Sequence, residues 1–196
     1  MPNSITYYDQ NADKYCQSTL NLDMSKIYHK FLQHLPHGGL ILDAGCGSGR
    51  DSQYFIKEGY QLRAFDGSEE MVKLSSRLIG RKVQYCTFED FKSDLLFDGI
   101  WACASLLHVE KEKLDSVIDH LARYLKKGGI FYMSYKYGDR DFKKDGRIFS
   151  CFREDAFTAT IRKLNNLEIV ELFQTVDARP DRPDEYWLNC LLKRVS

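Results

Sequence analysis

Leu40-Ile41-Leu42-Asp43-Ala44-Gly45-Cys46-Gly47-Ser48-Gly49-Arg50-Asp51 is the stretch whose reading decides the fold of this chain. The apolar run Leu40 to Leu42 is short enough to be one buried strand. Glycines then stand at alternate positions, 45, 47 and 49, and a helical pattern begins near Arg50. The pattern is strand, tight turn, helix. Glycine lets the backbone take positive φ and approach a ligand with no Cβ in the way. The helix aims its free N–H groups and positive dipole end at the same spot. A turn of this kind holds an anionic or strongly polar group. The dinucleotide fingerprint is G-x-G-x-x-G. Here the third glycine comes one residue early, which argues against a nicotinamide-dependent oxidoreductase. Asp43, at the strand end, is placed to face an ammonium group.

At this turn the chain resembles the class I S-adenosylmethionine-dependent methyltransferases. Their first motif reads acidic residue, x, Gly, x, Gly, x, Gly, and Asp43-Ala44-Gly45-Cys46-Gly47-Ser48-Gly49 follows it. The resemblance implies S-adenosyl-L-methionine as cofactor, with Asp43, Ala44, Gly45, Gly47 and Gly49 around one end of it. Gly47-Ser48-Gly49-Arg50-Asp51, Ser105-Leu106-Leu107-His108-Val109, Ser134 to Gly138 and Asp145-Gly146-Arg147 together look like the small bacterial tellurite-resistance-related methyltransferases. That label names a phenotype group and not a substrate.

Length and charge bound the remaining possibilities. The chain has 196 residues, with 28 basic and 28 acidic side chains. A neutral balance carries no electrostatic footprint for nucleic acid. The six cysteines are scattered and form no C-x-x-C pair, so no zinc or thioredoxin-like motif is indicated. They read as reduced thiols of a cytoplasmic protein. No signal peptide and no apolar span near 20 residues is seen, so membrane insertion is not expected. No metal site is expected either: His34 and His37 lack further ligands nearby. The expected organisation is a single domain, 1–196, with a helical lid over 1–37 and a Rossmann-like core over 38–196. A monomer or homodimer is expected.

The chain in order supports an α/β reading. Met24 to Leu35 carries a helical apolar stripe, ended by Pro36-His37-Gly38-Gly39. Upstream, Tyr8-Asp9-Gln10-Asn11-Ala12-Asp13-Lys14-Tyr15 has the spacing of a segment that folds over the cofactor in the resembled family, which makes Tyr8 and Tyr15 candidate contacts. Packing against the sheet is the plainer role for the same tyrosines. A helix over Ser52 to Glu58 and a strand over Gln61 to Phe65 come next. Asp66 lies 23 residues after Asp43, near the spacing at which a doubly wound fold sets an acid on the ribose hydroxyls. Gly67 and Ser68 adjoin it, and Ser68 also suits an N-cap for the helix Glu69 to Leu78. Met71 is placed against a purine or in the core.

Lys82 to Cys86 reads as the third strand. In the resembled family an acid in the following loop meets the adenine amino group beside an apolar neighbour. Glu89 or Asp90 fits, with Phe88 as the neighbour. Phe97 to Cys103 is nearly all apolar and therefore central. At its end small Ala104 and Ser105 leave room for a cofactor, and His108 is either a general base or a packed histidine. Leu114 to Leu125 is an amphipathic helix that Gly128-Gly129 should stop. Ile130 to Tyr135 is a fifth strand, and 135–152 a functional loop. Lys136 and Arg147 in that region, with Arg179 further on, are candidates for an anionic substrate. A helix over Glu154 to Leu164 and an antiparallel pair, Leu167 to Phe173 and Tyr186 to Leu192, complete the count.

The predicted fold is therefore α/β: a Rossmann-like, doubly wound, seven-stranded and mostly parallel sheet, with the order 3-2-1-4-5-7-6 taken from the resemblance. The predicted activity is methyl transfer to a small-molecule acceptor. A tRNA wobble-base methyltransferase and a cofactor-binding regulatory protein without turnover are the alternatives.

Overall fold

A computed structural model describes residues 3–196. Its centre is a twisted sheet built on the quoted stretch. Strand β1 (Leu40–Ala44) pairs in parallel with β2 (Gln61–Asp66) on one side and β4 (Phe97–Ala102) on the other. The two-residue β3 (Gln84–Tyr85) flanks β2, and β5 (Leu125–Tyr137) flanks β4. The antiparallel β10 (Tyr186–Arg194) and β9 (Leu167–Val176) finish the other edge. The main path runs β3-β2-β1-β4-β5-β10-β9, which is the predicted order with the later strands renumbered. A short β8 (Cys151–Phe152) adds to the end of β5.

Strand alternation sorts the core into two layers. Leu42, Ile100, Phe131 and Met133 face α5 (Lys111–Ala122) and α6 (Glu154–Ile161). Ile41, Trp101, Ile130 and Tyr132 face α2 (Ser25–Leu32) and α3 (Arg50–Lys57). Trp101 and Tyr132 stack there at 3.9 Å. Helix α4 (Glu69–Ile79) begins at Ser68, whose Oγ accepts from Met71 N at 3.2 Å as an N-cap. Helix α1 (Ser4–Thr19) precedes them all and kinks at Asn11, where φ is −125°.

The structure departs from the sequence expectation at three places. The third strand shrinks to two residues. The helix expected to reach Leu125 ends at Ala122, because Leu125 is fully buried and already pairs with Phe97 in the sheet. Gly128-Gly129 therefore stop nothing. They carry an irregularity within β5 that lets Ile130 pair with Gly99, and Gly128 has φ +82°. The third departure is the 135–152 segment. It contains a hairpin, β6 (Phe142–Lys144) against β7 (Arg147–Phe149). Its two-residue turn, Asp145-Gly146, has both φ values positive, at 53° and 79°. That is the conformation under which Asp-Gly favours a tight hairpin. Ser150 ties the hairpin to the segment after β4: its N donates to Leu107 O at 2.8 Å and its Oγ to Val109 O at 2.9 Å.

At Gly99 the side chains of α2 and of the turn after it press close on the sheet. A Cβ there would stand 2.6 Å from Phe31 Cζ and 2.9 Å from Leu35 Cδ1. Gly99→Ala should destabilise the fold by about 1–3 kcal/mol through overpacking, read as a lower urea midpoint with an unchanged m-value.

Candidate active site

A cavity of about 740 Å³ opens over the carboxyl ends of β1, β2 and β4. Its walls come from the glycine turn, from Asp66-Gly67-Ser68, from the loop after β3, from the segment after β4, from the hairpin and from α1. This is the crevice at which open α/β sheets hold ligands.

The glycine turn is built by close packing as much as by openness. Gly45, Gly47 and Gly49 have φ of 74°, 52° and 81°. A Cβ on Gly45 would meet Ser105 Cβ at 2.7 Å, and one on Gly49 would meet Ser75 Cβ at 3.0 Å. Gly47 is different: its nearest neighbour would be Tyr15 Cε1 at 3.5 Å, across the cavity mouth. So Gly47 leaves room for a ligand, while Gly49 lets α3 pack on α4 and lies off the cavity wall. Asp66 buttresses the turn. One carboxylate oxygen accepts from Gly47 N at 2.8 Å and the other from Ser68 N at 2.8 Å. Burial pushes its pKa up, and the donating amides partly offset the push.

Asp43 and Ala44 were expected at the ligand, but neither lies on the cavity wall. Asp43 is 2% exposed, accepts from Ser52 Oγ at 2.6 Å and lies off the cavity wall. Burial, reinforced by the nearby Asp51 charge, raises its carboxyl pKa to about 8. Ala44 supplies only its carbonyl, which accepts from Ser105 Oγ at 2.7 Å. Asp51, which sequence reasoning passed over, is the buried anion that touches the cavity. It accepts from Arg50 Nε at 2.6 Å, Trp101 Nε1 at 2.8 Å and the Tyr28 hydroxyl. Burial alone would raise its pKa, but the Arg50 charge and these donors hold it below the ordinary carboxylate value. Arg50 also lines the cavity.

In the loop after β3 the two candidate acids part. Glu89, Phe88, Thr87 and Cys86 lie on the wall, as does Met71. Asp90 turns away and accepts from Thr87 Oγ1 at 2.8 Å. Ala104 and Ser105 form the floor. Ala104 sits at φ +51°, rare for a residue with a Cβ, and its N donates to Ser134 Oγ at 2.8 Å.

Helix α1 reaches both ends of the cavity. Asp9 accepts from Ser68 Oγ at 2.6 Å, at the amino end of α4 where free N–H groups and the helix dipole favour an anion. The Tyr8 hydroxyl lies 2.8 Å from His108 Nε2, and His108 Nδ1 lies 2.6 Å from Ile148 O. A carbonyl only accepts, so Nδ1 carries the proton and Nε2 accepts from Tyr8. Burial, and then the Arg147 charge against a favourable carbonyl bond, lowers the His108 pKa from 6.5 to about 4.

The three expected substrate cations are elsewhere. Lys136 is buried, pairs with Asp177 at 3.1 Å and with Glu185, and lies 4.2 Å from the Trp187 ring centre. Arg179 donates to the same Asp177 at 2.5 Å. Both are spent holding the 177–185 connector on the sheet. Arg147 stacks on Tyr7 at 3.7 Å and pairs with Asp145 at 3.2 Å, so it joins the hairpin to α1. None of the three lines the cavity, although Lys143, Gly146 and Ile148 of the hairpin do. Lys136 meets its acids from a distant segment, which no local pattern announces, whereas Arg179 and Arg147 each pair with an acid two residues upstream.

Residues 41–129 match the family model described as "Methyltransferase domain". The chain is 32% identical over 106 residues to a ubiquinone biosynthesis O-methyltransferase of Xanthomonas oryzae, covering 50% of this chain and 43% of that protein. It is 30% identical over 103 residues to the putative methyltransferase YqeM of Bacillus subtilis, covering 49% and 42%. The matches thus span less than half the length of these curated relatives. Among solved structures, the 1,6-didemethyltoxoflavin-N1-methyltransferase of Burkholderia thailandensis, with 1,6-didemethyltoxoflavin and S-adenosylhomocysteine bound, superposes with a TM-score of 0.78 at 22% identity, over 98% of this chain and 85% of that one. A TehB-like S-adenosylmethionine-dependent methyltransferase of Corynebacterium glutamicum gives 0.73 at 18%, over 94% and 98%. In its domain match over residues 41–129, its sheet order and its glycine turn, the chain is similar to the class I S-adenosylmethionine-dependent methyltransferases, whose fold it shares.

His108 makes stability depend on pH. The groups facing it are Tyr8 from α1 and Arg147 from β7, with Glu110 and Lys113 on the same cavity wall. Between pH 6.5 and about 4 the unfolded imidazole binds the proton and the folded one does not. Stability from this group is therefore full above 6.5 and is lost as pH falls through that window, by at most roughly 3 kcal/mol. Urea titrations across the window should show this slope in the wild type and a shallower one in His108→Gln.

Proposed function

We propose that this chain transfers the methyl group of S-adenosyl-L-methionine to a small-molecule acceptor. The observation that carries the reading is one continuous cavity running from the glycine turn past Asp66 to the hairpin. The residues present fit the cofactor. Each Asp66 oxygen accepts one amide, and a carboxylate oxygen has room for a second donor. The ribose hydroxyls supply those donors. Met71 and Phe88 offer apolar faces to the base, and Glu89 offers an acceptor to its amino group. Gly45, Gly47 and Gly67 keep side chains out of the way, Ser68, Ala104 and Ser105 floor the site, and Tyr8 and Tyr15 of α1 close over it.

When bound, the cofactor supplies a methyl carbon already activated by its sulfonium. The chain's own task is to align an acceptor with that carbon and to keep water out. Alignment of this kind is worth about 7–11 kcal/mol of barrier. A small acceptor is favoured by the neutral charge balance. The structural relative with a bound acceptor holds a small heteroaromatic molecule, 1,6-didemethyltoxoflavin, which supports the same reading.

Calorimetry with S-adenosyl-L-methionine tests the cofactor half. Asp66→Ala should weaken binding by about 1–3 kcal/mol, the cost of leaving buried hydroxyls unpaired; equal affinity would take Asp66 off the ribose. Release of S-adenosylhomocysteine over a panel of small acceptors tests the other half, and turnover on tRNA alone would overturn it.

A further inference from the structure

The hairpin brings to the cavity a cation that the cofactor site does not use. Strand β6 pairs with β7 so that Phe142 stands opposite Phe149, Lys143 opposite Ile148 and Lys144 opposite Arg147. Residues directly opposed share a face, and successive residues alternate between faces. Phe142 and Phe149 are therefore on one face with Lys144 and Arg147, and their rings stack at 4.7 Å. Lys143 and Ile148 are on the other face, and both line the cavity. The tight Asp145-Gly146 turn fixes this register, since a slip of one residue would turn Lys143 away from the cavity.

Charge pairing leaves Lys143 unmatched. Arg50, Lys113 and Lys143 are the lysine and arginine side chains on the cavity wall. Arg50 is paired with Asp51 at 2.6 Å and Lys113 with Glu110 at 3.4 Å. Lys143 is in no ion pair among the described residues. The acids around it in sequence are all taken: Asp139 by Arg153 at 2.7 Å, Asp141 by Lys111 at 2.8 Å and Asp145 by Arg147 at 3.2 Å. Arg140 and Lys144 are likewise in no ion pair among the described residues. The hairpin thus sets a positive field at the cavity in a chain whose 28 acidic and 28 basic side chains balance overall. Apolar walls focus such a field into a cleft, and Val109 and Ile148 supply them here.

We propose that Lys143 selects the acceptor, and that the acceptor is an organic anion: an apolar body laid against Val109 and Ile148, with a carboxylate or phosphate ester on the Lys143 ammonium. This inference rests on the methyltransferase reading above and adds the substrate class. An ammonium is a compact charge with three donors and takes either kind of anion. The anionic group is a handle and not the atom that receives the methyl group, because an ion pair draws electron density from an oxygen nucleophile. Binding energy from such a remote group goes into orienting the reacting atom. Lys113 stands on the same wall, but Glu110 already shares its charge, so its part in holding the anion is smaller.

The test uses the full chain loaded with S-adenosylhomocysteine and three probes that share one body: 1-naphthoate, 1-naphthyl phosphate and the neutral 1-naphthamide. Calorimetry at low salt should show at least one of the anions binding about 5-fold or more tighter than the amide, the size of one ion pair at a partly exposed site. Which anion leads separates a carboxylate acceptor from a phosphate ester. Added salt should narrow the gap. Lys143→Gln should remove the preference and leave the amide's affinity unchanged, and Lys143→Arg should keep it. Lys144→Gln, on the opposite face of the hairpin, should keep it as well. In wild-type protein the Ile148 methyl resonance should move when the preferred anion is added. Failure of both anions to outbind the amide, a preference that survives Lys143→Gln or is lost equally in Lys144→Gln, or an Ile148 methyl that does not move would overturn the inference. Absence of S-adenosyl-L-methionine and S-adenosylhomocysteine binding in the wild type would instead overturn the reading on which it rests.

Discussion

The Asp51 carboxylate is the buried charge around which the site is assembled. It sits in the first turn of α3, directly after the glycine turn, and is 7% exposed. An anion this deep stands only if every lone pair finds a donor. The donors come from three elements: Arg50 of α3, Trp101 of β4 and Tyr28 of α2. The same carboxylate therefore sets the distance between the glycine turn and the central strand and anchors the helix beneath. The Trp101–Tyr132 stack extends that constraint into β5. With the turn fixed on one side by Asp51 and on the other by Asp66 on Gly47 N, the backbone that faces the cavity has little freedom left. That is the preorganisation an alignment-driven reaction requires.

How much of this was legible in the sequence follows the range over which each signal acts. The strand–turn–helix, Asp66 at the end of β2 and the Ser68 N-cap are local patterns, and each lies where the sequence put it. The order of the sheet came from resemblance, since residue spacing alone does not order strands. Leu125 misled because amphipathic spacing continues smoothly across Leu121 and Leu125, while the strand partner that claims Leu125 is Phe97, far upstream. Lys136 misled for a related reason. A lysine after a strand reads as a surface cation until Asp177 and Glu185 arrive from the far edge to neutralise it. The Asp145-Gly146 turn was a local signal that went unused: the polar stretch around it read as a loop, although Asp-Gly between two short β-prone runs favours a hairpin.

Helix α1 joins what the sheet keeps apart. Its Asp9 is held at the start of α4, on the side where Asp66 lies, and its Tyr8 is held on His108, next to the hairpin. Tyr7 lies under Arg147 of that hairpin. These three contacts all fall before the kink at Asn11, whereas Tyr15, which faces Gly47, falls after it. The segment before the kink thus has one attachment beside Asp66 and two beside the hairpin. The cover over the cavity is therefore tied to both of its walls by side chains of one helical segment.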